Sequence, residues 1–242
     1  MTGASRGIGA ATAKLLAEQG YRVVINYHKN QPAAELVVKQ IKSAGGQALA
    51  IQADVADEAS VIAMFDEVNS TWGRVSALVN NAGQLQTQSR LVNLSAERIN
   101  HILKTNVTSQ FLCCREAIKH MSNKLGGKGG AIVNVSSAAS RIGAANEYID
   151  YAASKGAIDT LTIGLSNEIA AEGIRVNCVR PGFIDTEMHA DGGEANRIER
   201  VKHNIPLGRG GTAKEVAQAI AWLLSNDASY VTGTFVDIAG GR

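Results

Sequence analysis

Cysteine is scarce in this sequence, and its scarcity excludes a class of proteins. Only Cys113, Cys114 and Cys178 occur among 242 residues. The number is odd, two are adjacent, and none has metal-ligand spacing, so neither a disulfide framework nor a metal site is expected. They read as reduced, partly buried thiols of a cytoplasmic protein. Long apolar runs are also absent: nothing approaches the roughly 20 residues of a membrane span. The start has no charged segment followed by an apolar one, so no signal peptide is read there. Charge bias is missing as well. Lys and Arg number 24 against 22 Asp and Glu, for a formal charge of +2, and the positives are scattered. A nucleic-acid binder would gather them on one face.

What is present is alternation. Hydrophobic residues make up 45% of the chain and charged residues 19%, as in soluble globular domains. "YRVVINY", "QALAIQAD", "SALVNNAG", "GGAIVNVSS", "GIRVNCVRPG" and "TFVDIAG" are short, apolar and bounded by turn residues, which predicts strands. Amphipathic stretches lie between them. Val107, Phe111, Cys114, Ile118 and Met121 repeat at steps of four and three, one helix face; Ile158, Leu161, Leu165 and Ile169 do the same. Strands alternating with helices predict one α/β domain over residues 1–242. It is a doubly wound, Rossmann-like parallel sheet of about seven strands covered on both faces. Ligands bind such sheets beyond the carboxyl ends of the strands, so function is sought just after each one.

The first such place lacks its strand. Thr2-Gly3-Ala4-Ser5-Arg6-Gly7-Ile8-Gly9 reads as a loop whose glycines let phosphates approach backbone N–H groups, before a helix from about Ile8. The alternative is a helix start with a flexible lead. After "YRVVIN" an acid is lacking: Tyr27-His28-Lys29 stands where Asp or Glu would hold an adenosine ribose and repel a 2′-phosphate. Arg6, His28 and Lys29 could instead surround a phosphate, which favours NADP(H) over NAD(H). Asp54-Val55 follows the next strand, where a carboxylate could meet an adenine amino group or cap a helix. Asn80-Asn81-Ala82-Gly83 offers small residues against which a flat ligand could lie, or plain turn chemistry.

Ser136 and Ser137 follow "GGAIVNV", and Tyr151 lies fourteen residues beyond Ser137. Lys155 is one helical turn past Tyr151, on the same face. Tyr148 is an internal control, because Ala152 stands four residues past it. Arg180-Pro181-Gly182-Phe183-Ile184-Asp185-Thr186 ends the next strand and exposes backbone for a ligand's amide; from Glu187 to about Asn204 a polar stretch reads as a mobile lid.

In that order, "TGASRGIG", "NNAG", the Asn106 of "KTNV", Ser137, "YAASK", "RPGFIDT" and "YVTGTFVDIAGG" resemble the short-chain dehydrogenase/reductase family across essentially the whole chain. The sequence is similar to the branch of 3-oxoacyl-[acyl-carrier-protein] reductases and bacterial glucose dehydrogenases. The resemblance implies a catalytic tetrad of Asn106, Ser137, Tyr151 and Lys155. It also implies NAD(P) held by the glycine loop, Asp54, Asn81-Ala82-Gly83 and Pro181 to Thr186, with Tyr27 and His28 near the adenosine 2′ position. Two departures stand out. The Ser137-to-Tyr151 interval is one residue long, which predicts a small bulge between Arg141 and Asp150 and leaves Ser136 and Ser140 as alternatives to Ser137. The first strand is missing.

The expected chemistry is hydride transfer between nicotinamide and a carbonyl or secondary alcohol, with Tyr151 as general acid or base. Lys155 is expected to lower the Tyr151 pKa from about 10 and to bind the nicotinamide ribose, Ser137 to hold the substrate oxygen, and Asn106 to hold a relay water. A 3-oxoacyl-thioester or small ketone reductase comes first. A sugar dehydrogenase is the alternative, and a non-catalytic NADPH sensor is a remote one. Small residues on outer helix faces (Ala153, Ala157, Gly164), with the family's habit of pairing these helices, imply a homotetramer, or failing that a homodimer. The family pattern places an apolar residue, usually Val, where Met1 stands. A Val codon read as a start would trim about half a dozen residues, an ordinary strand length. Losing three or four buried Val or Ile would remove roughly 5–10 kcal/mol, so the chain from Met1 is expected to fold poorly.

Overall fold

The computed structural model describes all 242 residues. In chain order the elements are α1 (Gly7–Glu18), β1 (Arg22–Tyr27), α2 (Gln31–Ser43), β2 (Gln47–Gln52), α3 (Glu58–Trp72), β3 (Ala77–Asn80), α4 (Ala96–Leu103), α5 (Ser109–Met121), β4 (Gly130–Val135), α6 (Ala139–Ile142), α7 (Ile149–Ile169), β5 (Ile174–Pro181), β6 (Ile184–Asp185), α8 (Met188–Asp191), α9 (Arg197–Val201), β7 (Gly211–Thr212), α10 (Ala213–Leu224) and β8 (Phe235–Ile238). All six predicted strands form. Four helices start where a polar side chain takes up free N–H groups: Asn30 for α2, Asp57 for α3, Ser95 for α4, and Thr212 in a capping box with Glu215 for α10. Asp57, not Asp54, caps α3; Asp54 closes a local turn by accepting from Ala56 N at 2.9 Å. No helix is long and apolar enough to cross a membrane.

Every strand pairing is parallel, so the strand ends that carry function share one edge. The sheet, however, comes in two blocks: β1 pairs with β2, and β3-β4-β5-β8 form a second run. Within the sheet, the backbone of Met1–Ala4 links them. The Met1 ammonium donates to Val24 O (3.1 Å), Asn26 N to Met1 O (3.2 Å), Ala4 N to Asn26 O (3.0 Å) and Thr2 N to Val79 O (3.0 Å). Behind Met1 lies a slot of about 160 Å³, lined by apolar groups that include Val23, Val24, Phe65, Val68 and Leu78. Arg22 lies beside its far end, stacked on Trp72 at 5.7 Å.

One apolar layer packs α1, α2 and α10 on one face of the sheet; another packs α3, α5 and α7 on the opposite face. A buried polar ladder crosses the second block: Asn80 Nδ2 donates to Asn134 Oδ1 (3.0 Å), and Asn134 Nδ2 to Thr162 Oγ1 (3.0 Å). One helix face differs from expectation. Cys114 and Met121 are buried, but Phe111 is 51% exposed, because residues 109, 110, 113 and 117 take the inner face.

Candidate active site

The glycine loop is shaped by contacts that exclude side chains. Gly3 and Gly7 have φ of +59° and +53°, the left-handed region that favours glycine. A Cβ on Gly9 would stand 2.3 Å from Gly3 O, so α1 crosses the loop where only hydrogen fits. Asn81 Nδ2 donates to Thr2 O (3.1 Å) and Gly3 O (2.9 Å), and Thr2 Oγ1 accepts from the Asn81 and Ala82 N–H groups (3.0 Å each). The loop after β3 thus braces the loop before α1. Helix α1 has no side-chain cap and no acid in its first turn. Its first N–H groups are left for a ligand, unlike those of the four capped helices.

At the adenosine end, His28 and Asp54 are partly exposed side by side, with His28 Nε2 4.0 Å from Asp54 Oδ2. Lys29 is exposed. Tyr27 and Val55 are buried, and the Tyr27 side chain belongs to the core cluster beside Ala34 and Val37. Ser5 and Ile8 are half-buried along the loop. Pro181 ends β5; Gly182 passes so close to Ala239 that a Cβ would lie 2.8 Å from its Cα; Ile184 is buried; Thr186 packs on Gly7.

Asn106 sits in a π-turn, Lys104–Thr108, that joins α4 to α5. The extra residue swings its side chain inward, where it is fully buried. Asn106 Oδ1 accepts from Gln84 N (2.8 Å), and its Nδ2 donates to Gln84 O (3.0 Å) and Ser154 Oγ (3.1 Å). Lys155, on α7, donates from Nζ to Val135 O (2.8 Å) and lies 5.5 Å from the Tyr151 ring centre. A Cβ on Gly83 would be 3.4 Å from Lys155 Nζ and 3.5 Å from Asn106 Oδ1. Ser137 Oγ donates to Pro181 O (3.4 Å) and accepts from Ala139 N (3.1 Å), and its hydroxyl is near enough to the Tyr151 phenol to favour the phenolate. Lys155 and Asn106 thus meet at Gly83, and Tyr151 links Lys155 to Ser137.

The competing candidates have other partners. Ser136 Oγ donates to Lys155 O (3.0 Å) and Ser140 Oγ to Ser137 O (2.8 Å). The Tyr148 hydroxyl donates to Gly192 O (3.1 Å), under the Arg197 guanidinium at 4.5 Å.

A family model described as enoyl-(acyl carrier protein) reductase matches residues 3–242. The chain belongs to the short-chain dehydrogenase/reductase family. It is 64% identical to an uncharacterized oxidoreductase, YgfF, of Escherichia coli strain K12, over all of this chain and 98% of that one. It is 39% identical to the 3-oxoacyl-[acyl-carrier-protein] reductase FabG of Staphylococcus aureus, over 100% of this chain and 96% of that one. A short-chain dehydrogenase from Burkholderia cenocepacia J2315, solved in complex with NADP, superposes with a TM-score of 0.90 at 36% identity, covering 99% of this chain and 95% of that one.

The dehydrogenase site has electrostatics that the sequence did not indicate. Burial pushes the Tyr151 phenol up to about 12, against the Ser137 hydroxyl and the Arg197 charge, which pull it down. The expected lowering by Lys155 is not met: burial outweighs every nearby group. Burial also pushes the Lys155 ammonium down to about 8. Two features had no sequence signal. Asp150, almost wholly buried, receives Arg98 Nε (2.8 Å) and Tyr151 N (3.0 Å), fixing the start of α7 against α4. Ser154 closes the bond to Asn106. Within the stretch from Arg141 to Asp150, where a bulge is expected, the chain turns with Ala144 (φ +46°) and Asn146 (φ +62°) in the left-handed region. The predicted lid is folded: α8 and α9 form within it, and Gln88 holds Glu194 at 2.6 Å.

The residues fit a dinucleotide. An uncapped helix start meets a loop that only glycine can form, and Gly83 leaves a flat floor beside Lys155 and Asn106.

Proposed function

We propose that this enzyme is an NADP(H)-dependent carbonyl reductase acting on a 3-oxoacyl-thioester-like or small ketone substrate. The observation that carries it is the meeting of Lys155 and Asn106 at Gly83, with the Tyr151 ring 5.5 Å from Lys155 Nζ and the Ser137 hydroxyl near its phenol, at the carboxyl edge of the sheet where α1 starts uncapped. The nicotinamide supplies or takes the hydride when bound. The chain's own residues manage the rest. Tyr151 gives its Oη proton to the carbonyl oxygen as negative charge develops there. Ser137 donates to that same oxygen and orients it toward the phenol. Lys155, held by Val135 O, keeps a positive charge beneath Tyr151 and binds the nicotinamide ribose. Asn106 braces the Gln84 backbone, and with it the loop that carries Gly83.

Arg6, His28 and Lys29 would hold the 2′-phosphate, Asp54 and Val55 the adenine edge, the glycine loop the pyrophosphate, and Pro181 to Thr186 the nicotinamide amide. NADP in the Burkholderia relative and the reductase activity in the name of the Staphylococcus relative support this reading. A homotetramer is part of it: Phe111 on α5 and Ile163 on α7 are about half exposed, and Gly156 and Gly164 have open space beside them.

A fluorescence titration with NADPH and NADH, followed by a panel of 3-oxoacyl thioesters, ketones and sugars, tests the proposal. Tighter NADPH binding with 3-oxo reduction is expected. Sugar oxidation without 3-oxo reduction would reassign the substrate. Cofactor binding with no turnover on any panel member would favour a sensor.

A further inference from the structure

The cofactor's phosphate sites are already in contact with acids of the lid. Arg6 Nη2 donates to Asp191 Oδ2 at 2.5 Å, the only ion pair of either residue. Arg6 makes no other side-chain hydrogen bond to the protein. Glu187 extends the same arrangement: a Cβ on Gly7 would lie 3.8 Å from Glu187 Oε2 and 3.4 Å from Thr186 Cγ2. That carboxylate stands near the positive end of α1, where negative charge is favoured. Asp191 closes α8, and the next residue, Gly192, holds the Tyr148 hydroxyl three residues before Tyr151.

We propose that Asp191 determines cofactor specificity by competing with the 2′-phosphate of NADP(H) for the Arg6 guanidinium, so that engagement of the phosphate releases the lid at α8. The inference rests on the NADP(H) reading above. Charge sets its sign. A 2′-phosphate can take Arg6 only by displacing Asp191 or by enduring its negative charge, and a 2′-hydroxyl faces no such contest. Asp191 therefore lowers the preference for NADP(H) below what Arg6, His28 and Lys29 alone would give. Both partners are about half exposed, at 53% and 47%, so the effect is that of a surface pair.

The test compares wild type with Asp191→Asn by NADPH and NADH fluorescence titration. It adds amide hydrogen exchange over residues 187–194 with 2′,5′-ADP or 5′-ADP. For Asp191→Asn, NADPH should bind about two- to five-fold tighter at low salt with NADH unchanged, and the gain should shrink as salt screens the pair. In wild type, 2′,5′-ADP should speed exchange over 187–194 and 5′-ADP should not. In Asp191→Asn exchange should already be fast. An unchanged NADPH-to-NADH ratio, or equal exchange with both nucleotides, overturns the inference. If wild type binds neither cofactor, the cofactor reading itself fails. If NADPH binds tightly but Asp191→Asn shifts nothing, only the role of Asp191 falls. Asp191→Ser repeats the titration should the Asn variant misfold.

Discussion

Two tyrosines three residues apart have different jobs, and their surroundings say which is which. Tyr151 lies over Lys155 with the Ser137 hydroxyl near enough to favour its phenolate; Tyr148 is bound to Gly192 O and covered by Arg197. Tyr151→Phe should cut turnover by about 10²- to 10⁴-fold while NADPH binding persists, as for loss of a general acid. Tyr148→Phe should leave turnover within a few-fold; if steady-state assays show that Tyr148→Phe is the variant that loses turnover, the assignment is reversed. With the phenol pushed up to about 12, the free enzyme should show no Tyr151 phenolate below pH 10. The difference in 295 nm absorbance between wild type and Tyr151→Phe during alkaline titration checks this. A phenolate appearing near neutral pH would mean that the Lys155 charge outweighs burial.

At the scale of elements, the most demanding join is α1 against its own loop. Gly9→Ala puts a methyl 2.3 Å from a backbone oxygen, with no flexible side chain to yield. NADPH binding should fall by at least an order of magnitude in titration, while the circular dichroism of the remaining helices persists. Binding within two-fold of wild type would show that the loop shifts easily. The strands, this loop and the Tyr151–Lys155 pair were legible in the sequence because each rests on local rules of alternation, glycine freedom and one-turn spacing. Asp150–Arg98 was not, because its partners lie 52 residues apart and look like ordinary surface charges until folded. The long interval marked a bulge between Arg141 and Asp150, but not which residues take positive φ, since Ala144 does not announce it. Phe111 misled because periodicity marks an apolar stripe without saying what covers it. Spacing alone left the serines open; the bonds of Ser136 to Lys155 O and of Ser140 to Ser137 O favour Ser137.

For the whole molecule, buried titratable groups set how stability varies with pH, and they pull in opposite directions. Burial pushes the Lys155 ammonium down from 10.5 to about 8, so the unfolded chain holds that proton more tightly and stability rises with pH from 8 to 10.5 on its account, by up to about 3 kcal/mol. Burial pushes the Cys113, Cys114 and Cys178 thiols up from 9.0 to about 12, so the unfolded chain ionises them first and stability falls as pH rises above 9. Three thiols outweigh one amine, so urea midpoints should fall above pH 9, and more steeply in Lys155→Met. A midpoint climbing from pH 9 to pH 10 would contradict the burial of the thiols.

The divided sheet has a last consequence. Along the seam, β1 and β2 reach the other block through bonds of Met1–Ala4, through α1 packed on α10, and through both apolar layers, one holding Val23 and Ile25 with Val79 and Val133, the other Ile51 with Leu78. The molecule should breathe along that seam, so the Asn26 amide should exchange at a lower opening free energy than those of Ile132 and Val176. The seam ends at the glycine loop. A dinucleotide lying across both blocks would act as a rivet, slowing exchange on each side of the seam together and raising the melting temperature with its own concentration.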